Sequence, residues 1–199
     1  MSYFNNGESE YYSEEFYQLK LPGIEIESII FEECVFNDCN LSDSIFKNCK
    51  FIDCHFKKCN LSVAKFDYSK FIDVVFEECK AIGIDWTKVD WPTISLASPV
   101  KFLRCIINDN TFLGLNLRDI VIQECKAHDV DFRDGIFCEA NFTYTDFTNS
   151  LFNRTDLTGV DFTEAINYRI DINNNKIAKA KFSRHEAISL LESLNIELV

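Results

Sequence analysis

Glycine and proline are scarce in this chain, whose 199 residues include six Gly and three Pro. Because these residues mark most turns in loop-rich domains, another device must turn the backbone. Basic charge is also in short supply: 20 Lys and Arg face 32 Asp and Glu, for a formal net charge of −12. This balance argues against direct binding to nucleic acid or an anionic membrane, since both attract Lys and Arg clusters. No stretch reaches the length of a transmembrane helix.

Features of exported proteins, metal sites and enzymes are missing as well. No basic segment followed by an apolar run opens the sequence, so we expect a cytoplasmic protein whose nine cysteines are reduced thiols. No Cys-x-x-Cys spacing occurs, which argues against a zinc site. The three histidines, His55, His128 and His185, have no nucleophile or base near them in the pattern. The sequence therefore predicts a protein that is not an enzyme and needs no cofactor.

A period of five residues is the dominant feature of the chain. Large apolar residues, which we call centres, recur every fifth position from Leu21 to Leu96, and after one step of six they resume at Phe102 and run to Phe182, with a break at Asn167. The Phe centres predicted to fill the core are Phe31, Phe36, Phe46, Phe51, Phe56, Phe66, Phe71, Phe76, Phe132, Phe137, Phe142, Phe147, Phe152 and Phe162. Phe4 and Phe16 fall outside this pattern.

A small or modestly apolar residue stands two positions before most centres, as at Cys34, Cys79, Ala140 and Thr155. Neither a helix nor a strand alone produces a period of five. The pattern instead predicts a chain that turns a corner every five residues, so that four sides close a square coil of twenty. Stacked at about 4.8 Å, the ordinary strand spacing, about eight coils form a rod of roughly 40 Å. Cys39, Cys59 and Cys79 are then expected to stack on one side.

The repeat wording resembles that of the pentapeptide-repeat family, as in Ala140-Asn141-Phe142-Thr143-Tyr144 and Thr155-Asp156-Leu157-Thr158-Gly159. The resemblance implies an all-β fold, a right-handed quadrilateral β-helix solenoid with a short C-terminal α-helix. We assign residues 1–20 to an acidic and aromatic lead-in or cap, residues 21–182 to the solenoid, and residues 183–199 to the terminal helix and tail.

The C-terminal segment follows a different pattern. Ser183 to Glu186 reads as a capping box ahead of an amphipathic helix, whose apolar positions are Ala187, Ile188, Leu190, Leu191 and Leu194. The helix either caps a monomer or forms a dimer interface, since both need the same apolar stripe. The segment is similar to the terminal helix of the quinolone-resistance pentapeptide proteins, which pair tail to tail, and this resemblance favours a homodimer.

The register shifts near residues 97–101, next to Pro99, where the step of six adds one residue to the period. We interpret it as a bulge that resets the coil. Some quinolone-resistance proteins carry long loops that project from the solenoid. The register here leaves no room for such an insertion, so the chain is expected to resemble the members without loops.

The resemblance also implies a function: a DNA mimic that binds bacterial DNA gyrase or topoisomerase IV and protects it from quinolones or toxins, as the quinolone-resistance and microcin-immunity proteins do. The candidate acidic surface comprises Asp131, Asp134, Asp146, Asp156 and Asp161. Stacking positions twenty apart gives no continuous acidic stripe. The alternative is a rigid scaffold for protein–protein interaction unrelated to DNA topology, supported by outward apolar residues such as Ile52, Ile72, Val75 and Ile136.

Overall fold

The computed structural model describes residues 4, 8–92, 98–194 and 196. Its backbone forms short strands, and every strand pair among the described residues is parallel. The strands are β1 (Glu10–Tyr12), β2 (Glu15–Tyr17), β3 (Glu25–Glu27), β4 (Ile30–Glu32), β5 (Val35–Asn37), β6 (Ile45–Lys47), β7 (Lys50–Ile52), β8 (His55–Lys57), β9 (Lys70–Ile72), β10 (Val74–Glu77), β11 (Val100–Leu103), β12 (Val121–Gln123), β13 (Asp161–Phe162) and β14 (Lys181–Phe182). A 3₁₀ helix at Trp86–Lys88 and another at Glu186–Leu194 complete the regular structure.

The strands wind into a four-sided solenoid of about eight coils, as predicted. Side 1 carries the sheet β1-β4-β7-β9, in which Phe31 pairs with Phe51 and Phe51 with Phe71. Side 2 carries the sheet β12-β11-β10-β8-β5-β2, and β13-β14 lies further along it. Side 3 is held by isolated parallel bridges such as Asn40 to Asn60, and side 4 by the pair β3-β6. A regular coil is thus twenty residues, and within the regular coils residues twenty apart lie directly above one another.

The corners explain how the chain turns with little glycine or proline. The residue two positions after a centre, which we call the corner residue, adopts a left-handed backbone conformation, with φ of 50° at Asp53 and 54° at Lys58. Asp and Asn tolerate this region better than other residues with a side chain, because their short polar groups bond locally to the backbone. The structure places charged residues there as well, which keeps the corner solvated.

The residue two positions before each centre has a buried backbone N–H that needs a hydrogen-bond acceptor. Where it is Ala, as at Ala64, its N–H donates to the preceding centre, here the Leu61 carbonyl at 3.0 Å. At five cysteine corners the N–H donates to a side chain of the next coil instead; Cys59 N, for example, donates to the Cys79 sulfur at 3.3 Å. Ser69 accepts in the same way from Cys49 N at 3.0 Å. Cys, Ser and Thr recur at this position because a buried N–H needs an acceptor.

The interior is a continuous column of stacked rings. Phe36 and Phe56 lie 4.5 Å apart between ring centroids with planes 5° apart, and Phe112 and Phe132 lie 5.4 Å apart with planes 1° apart. Rings on adjacent sides meet edge-on, as for Phe31 and Phe36 at 69°. All fourteen predicted Phe centres are buried, with at most 5% of the residue exposed.

The first coil begins inside the segment that we predicted as a lead-in or cap. Tyr11 in β1 stacks on Phe31 at 5.5 Å and Phe16 in β2 stacks on Phe36 at 4.7 Å, so both are centres. Leaving Phe16 outside the repeat was wrong. Phe4 is 2% exposed and packs edge-on against Tyr11 and Phe16, where it covers the interior at this end.

The interpretation of the register shift as a one-residue bulge was also wrong. Phe76 pairs with Phe102, and Cys79 bonds to Cys105 across 26 residues instead of the usual 20. Six extra residues therefore enter one coil between Trp91, which stacks on Phe71, and Phe102. The expectation that the register has no room for an insertion does not hold. Leu96, predicted as a centre, and Ala97, predicted in the bulge, lie outside the described residues.

Near the C-terminus the repeat slips and then recovers. Asn167, at the break in the predicted pattern, is exposed with φ of 58°, while Tyr168 is 2% exposed in the interior. Ile170 then pairs with Phe152, two residues early, before Phe182 stacks on Phe162 in the regular register. The predicted terminal α-helix is a 3₁₀ helix instead. The Ser183 hydroxyl of the predicted capping box bonds to Glu164, accepting from its N–H at 2.8 Å.

Candidate binding surface

The filled interior leaves the outer faces of the rod as the place for function. Among the described residues no group of three or more His, Cys, Asp or Glu is arranged to hold a metal ion. Within those same ranges no helix is long and apolar enough to cross a membrane. The charged residues on the four sides and at the corners are therefore the candidates for a binding surface.

The predicted acidic surface does not form one surface. Asp131 and Asp134 lie on side 4, Asp146 on side 3, Asp156 on side 1 and Asp161 on side 2, as their bridges to residues in the neighbouring coils show. Each also has a basic partner: Arg133, Arg154, His128, Lys176 and Lys181, respectively. Four of these five pairs join neighbouring coils, and the acids do not form one shared negative surface.

Hydrogen bonding holds several of these carboxylates in the charged form. Burial alone would raise the pKa of Asp146, but bonds from Asn167, Thr148 and His128 outweigh it and lower the pKa to about 2. Likewise, burial opposes the shift at Asp156, yet bonds chiefly from Thr158 lower its pKa to about 2.

Acidic residues do line up at the corner between sides 1 and 2. Its corner residues stand one above another, coil by coil, because they follow the side 1 centres. We call this row the acidic edge: Glu33, Asp53, Asp73, Asp119 and Glu139. The coil between Asp73 and Asp119 carries the six-residue insertion. Two steps of twenty from Asp73 reach Leu113 in place of Asp119, which is why the sequence alone did not reveal the row.

The acids of this edge are exposed and only partly neutralised. Glu33 accepts from the Ser13 hydroxyl at 2.8 Å, and Asp73 pairs with Lys101 at 2.9 Å. Asp53, Asp119 and Glu139 form no ion pair with a described residue. Such exposed contacts are weak, so the edge keeps most of its negative charge.

Two family models match the chain. One, described as a pentapeptide repeat region, matches residues 29–99, and one described as pentapeptide repeats (8 copies) matches residues 137–166. The chain belongs to the pentapeptide-repeat family. No curated protein matches it in sequence.

Solved structures support the same assignment. A trypsin-treated form of QnrB1, described as a plasmid-mediated fluoroquinolone resistance protein, is 18% identical, with a TM-score of 0.66 over 96% of this chain and 91% of that chain. A second trypsin-treated form is 20% identical, with a TM-score of 0.67 over 93% and 100%. Full-length QnrB1 is 17% identical, with a TM-score of 0.56 over 94% and 100%. At these identities the likeness establishes a shared fold.

The cysteines of this pentapeptide-repeat protein are structural. Cys59, Cys79 and Cys105 stack on one side in a thiol ladder, as predicted for stacked thiols; the Cys79 sulfur accepts from Cys59 N and the Cys105 sulfur from Cys79 N, and both sulfurs lie within bonding distance of a carbonyl oxygen. Burial raises the pKa of Cys79 and Cys125 above the ordinary value for a thiol, which disfavours the reactive thiolate.

The terminal helix of the pentapeptide-repeat rod has an inner and an outer face. Leu190 packs against the core. Ile188 and Leu194 are 53% and 43% exposed. Leu191, which stands three residues from each of them in the sequence, is partly buried. Residues three apart eclipse in a 3₁₀ helix, so Ile188, Leu191 and Leu194 form one apolar ridge. Ala187 is half-buried beside it.

Proposed function

We propose that this chain is a non-enzymatic binding protein that occupies the DNA-binding surface of a bacterial type II topoisomerase, DNA gyrase or topoisomerase IV. By imitating DNA there, it would protect the enzyme from quinolones or toxins. The observation that carries the proposal is the acidic edge: five exposed carboxylates in register along one corner of a rigid rod. A surface that binds DNA is basic, and a row of fixed negative charge complements it.

The spacing of the edge can be compared with that of DNA. From Glu33 to Glu139 the edge spans five coil steps, about 24 Å at about 4.8 Å per step. One strand of duplex DNA carries a phosphate every 3.4 Å or so, hence about seven over this distance. Five acids against about seven phosphates make the edge a partial imitation of one DNA strand.

Two further features are consistent with the proposal. The structures that share this fold include QnrB1, described as a fluoroquinolone resistance protein. The apolar ridge of Ile188, Leu191 and Leu194 is exposed at the end of the rod and suits a homodimer that would cover it. A tail-to-tail dimer would double the length of rod available to the enzyme.

A second candidate is a rigid scaffold for a protein partner unrelated to DNA. Ile52 and Ile72 pair in register on side 1, and Ile72 is 47% exposed. An apolar strip of this kind on a flat face suits a protein contact. It lies directly beside the acidic edge, so one partner could contact both.

The experiment is DNA supercoiling by purified gyrase with increasing amounts of this protein, with and without a fluoroquinolone. The test variant replaces Asp53, Asp119 and Glu139 by Lys. The matched control replaces Asp43, Asp109 and Asp129 by Lys; these are also exposed corner residues with φ of 57°, 58° and 56°, but lie at the corner between sides 3 and 4. Lysine already occupies two corners of the chain, Lys58 and Lys179, so both variants are expected to fold.

We expect the wild type to inhibit supercoiling or to reduce drug-induced cleavage, the edge variant to lose this effect, and the control to keep it. Equal loss in both variants would reject the edge as the binding surface. If the wild type has no effect at a large molar excess, topoisomerase binding is wrong and the scaffold becomes the better candidate.

A further inference from the structure

Arginine is concentrated at one cleft in this acidic chain. Three of its six arginines, Arg133, Arg154 and Arg169, line an open cleft of about 680 Å³ on side 4 near the C-terminus. The remaining lining residues are neutral: Asn149, Ser150, Leu151, Phe152 and Asn153. No carboxylate lines the cleft, although 32 of the chain's residues are Asp or Glu.

Two of the guanidinium groups are held in fixed orientations. Asp131 binds Arg133 through two bonds, 2.9 Å from Nε and 2.8 Å from Nη2. Asp134 binds Arg154 through bonds of 2.6 Å from Nε and 2.9 Å from Nη2. Both carboxylates lie outside the lining of the cleft, so they position the arginines while the Nη1 atom of Arg133 stays available to a ligand.

The third guanidinium, that of Arg169, is not paired with a carboxylate of the described residues. Arg169 makes no ion pair or hydrogen bond with another residue in the described part of the chain. It follows Tyr168, the residue that enters the interior at the slip of the repeat, and it precedes Ile170, which pairs with Phe152. The slip therefore places Arg169 in the lining of the cleft, where it supplies the one positive charge that Asp131 and Asp134 do not offset. On its other side Arg169 lines a separate recess with Glu186 and Glu192.

We propose that this arginine cleft binds a small molecule that carries a phosphate or diphosphate group. A carboxylate offers two oxygens in one plane, whereas a phosphate offers oxygens in several directions and can accept from more than one guanidinium at once. Leu151, which is 47% exposed, supplies an apolar surface for the body of such a molecule. The site is separate from the acidic edge and does not depend on topoisomerase binding.

Calorimetric titration of the full chain at constant ionic strength tests the site, with inorganic pyrophosphate as the probe. We expect saturable binding with one site per chain. Arg169→Gln should weaken it about tenfold, since charged hydrogen bonds to the ligand are lost. Because Arg169 forms no ion pair or hydrogen bond with a described residue, its replacement should leave the melting temperature unchanged, which separates lost binding from lost folding.

The matched control is Arg118→Gln, which removes the same charge from an exposed position on side 1. It should bind pyrophosphate as the wild type does. Failure of the wild type to bind, or equal weakening by Arg118→Gln, would overturn the proposal. A parallel titration with ADP distinguishes the sources of the phosphate. If ADP binds more tightly than pyrophosphate and this gain in affinity is lost in Leu151→Ser, the ligand is a phosphate ester. If the two probes bind equally, the ligand is a free phosphate or diphosphate. Either result supports the site.

Discussion

The thiol ladder predicts that cysteine recurs two positions before the centres because its sulfur accepts a hydrogen bond from a buried N–H. Cys79 is 2% exposed; its sulfur accepts from Cys59 N at 3.3 Å and lies 3.2 Å from the Phe56 carbonyl oxygen, to which its S–H can donate. In Cys79→Ala the Cys59 N–H stays buried and loses its acceptor. An unsatisfied buried donor costs about 1–3 kcal/mol, and the missing sulfur removes packing worth somewhat under about 1 kcal/mol. We expect Cys79→Ala to lower the free energy of unfolding by about 2–4 kcal/mol.

Cys79→Ser separates hydrogen bonding from packing. Its hydroxyl can replace the sulfur in both contacts, as the Ser69 hydroxyl does by accepting from Cys49 N and donating to the Phe46 carbonyl, each at 3.0 Å. The expected loss is within about 1 kcal/mol. Ser44→Ala is the control, because Ile24 N in the coil before it bonds to the Leu21 carbonyl and does not need the Ser44 side chain.

Guanidinium unfolding, followed by circular dichroism and by the fluorescence of Trp86 and Trp91, measures these differences. Comparable slopes in all variants are needed, because a repeat rod can unfold in parts. If Cys79→Ser is as unstable as Cys79→Ala, packing of the sulfur and not the acceptor explains the position. If neither variant loses stability, the ladder contributes nothing.

Three further outcomes are expected. Val63 is a β-branched corner residue with φ of 60° and 50% exposure, so Val63→Asn should raise stability by about 1 kcal/mol in thermal unfolding; an unchanged or lower melting temperature would contradict this. Asp146 and Asp156 have pKa values of about 2 in the folded chain, below about 3.9 when unfolded. Their contribution, roughly 1 kcal/mol each after solvent screening, should be complete above about pH 4 and lost as pH falls toward about 2, and replacing both by Asn should flatten that decline in acid unfolding. Finally, Ile188→Asp with Leu194→Asp should convert the proposed dimer to a monomer in sedimentation velocity, with Glu192→Gln as a control that stays dimeric; a monomeric wild type would refute the dimer.

Most of the fold follows from the five-residue period, because only a square coil lets every fifth side chain point inward. The period could not identify the insertion. Eleven residues from Trp91 to Phe102 equal two steps of five plus one, so a six-residue insertion imitates a one-residue bulge as long as Leu96 suits a centre. Pairing across coils, which the sequence does not display, decides between the two.

The other misses also have local causes. Tyr11 and Phe16 fit the period, but Glu14 stands where a small residue is expected before Phe16. An end coil tolerates that charge, because one of its edges faces solvent. At the slip, the interior position that the period assigns to Asn167 is occupied by Tyr168. Packing of the aromatic ring determines this shift of one residue. The acidic edge was missed because its two halves come into line only when the six extra residues are counted.

The parallel stacking gives the rod a fixed rise per coil. Each coil contacts only the coils on either side, so adding or removing twenty residues changes the length by about 4.8 Å and leaves every other contact in place. The six-residue insertion shows that a coil can also lengthen in sequence while Phe76 and Phe102 remain paired. Each added coil also brings one new corner residue to the acidic edge, so the length of the rod and the number of charges along that edge can increase together.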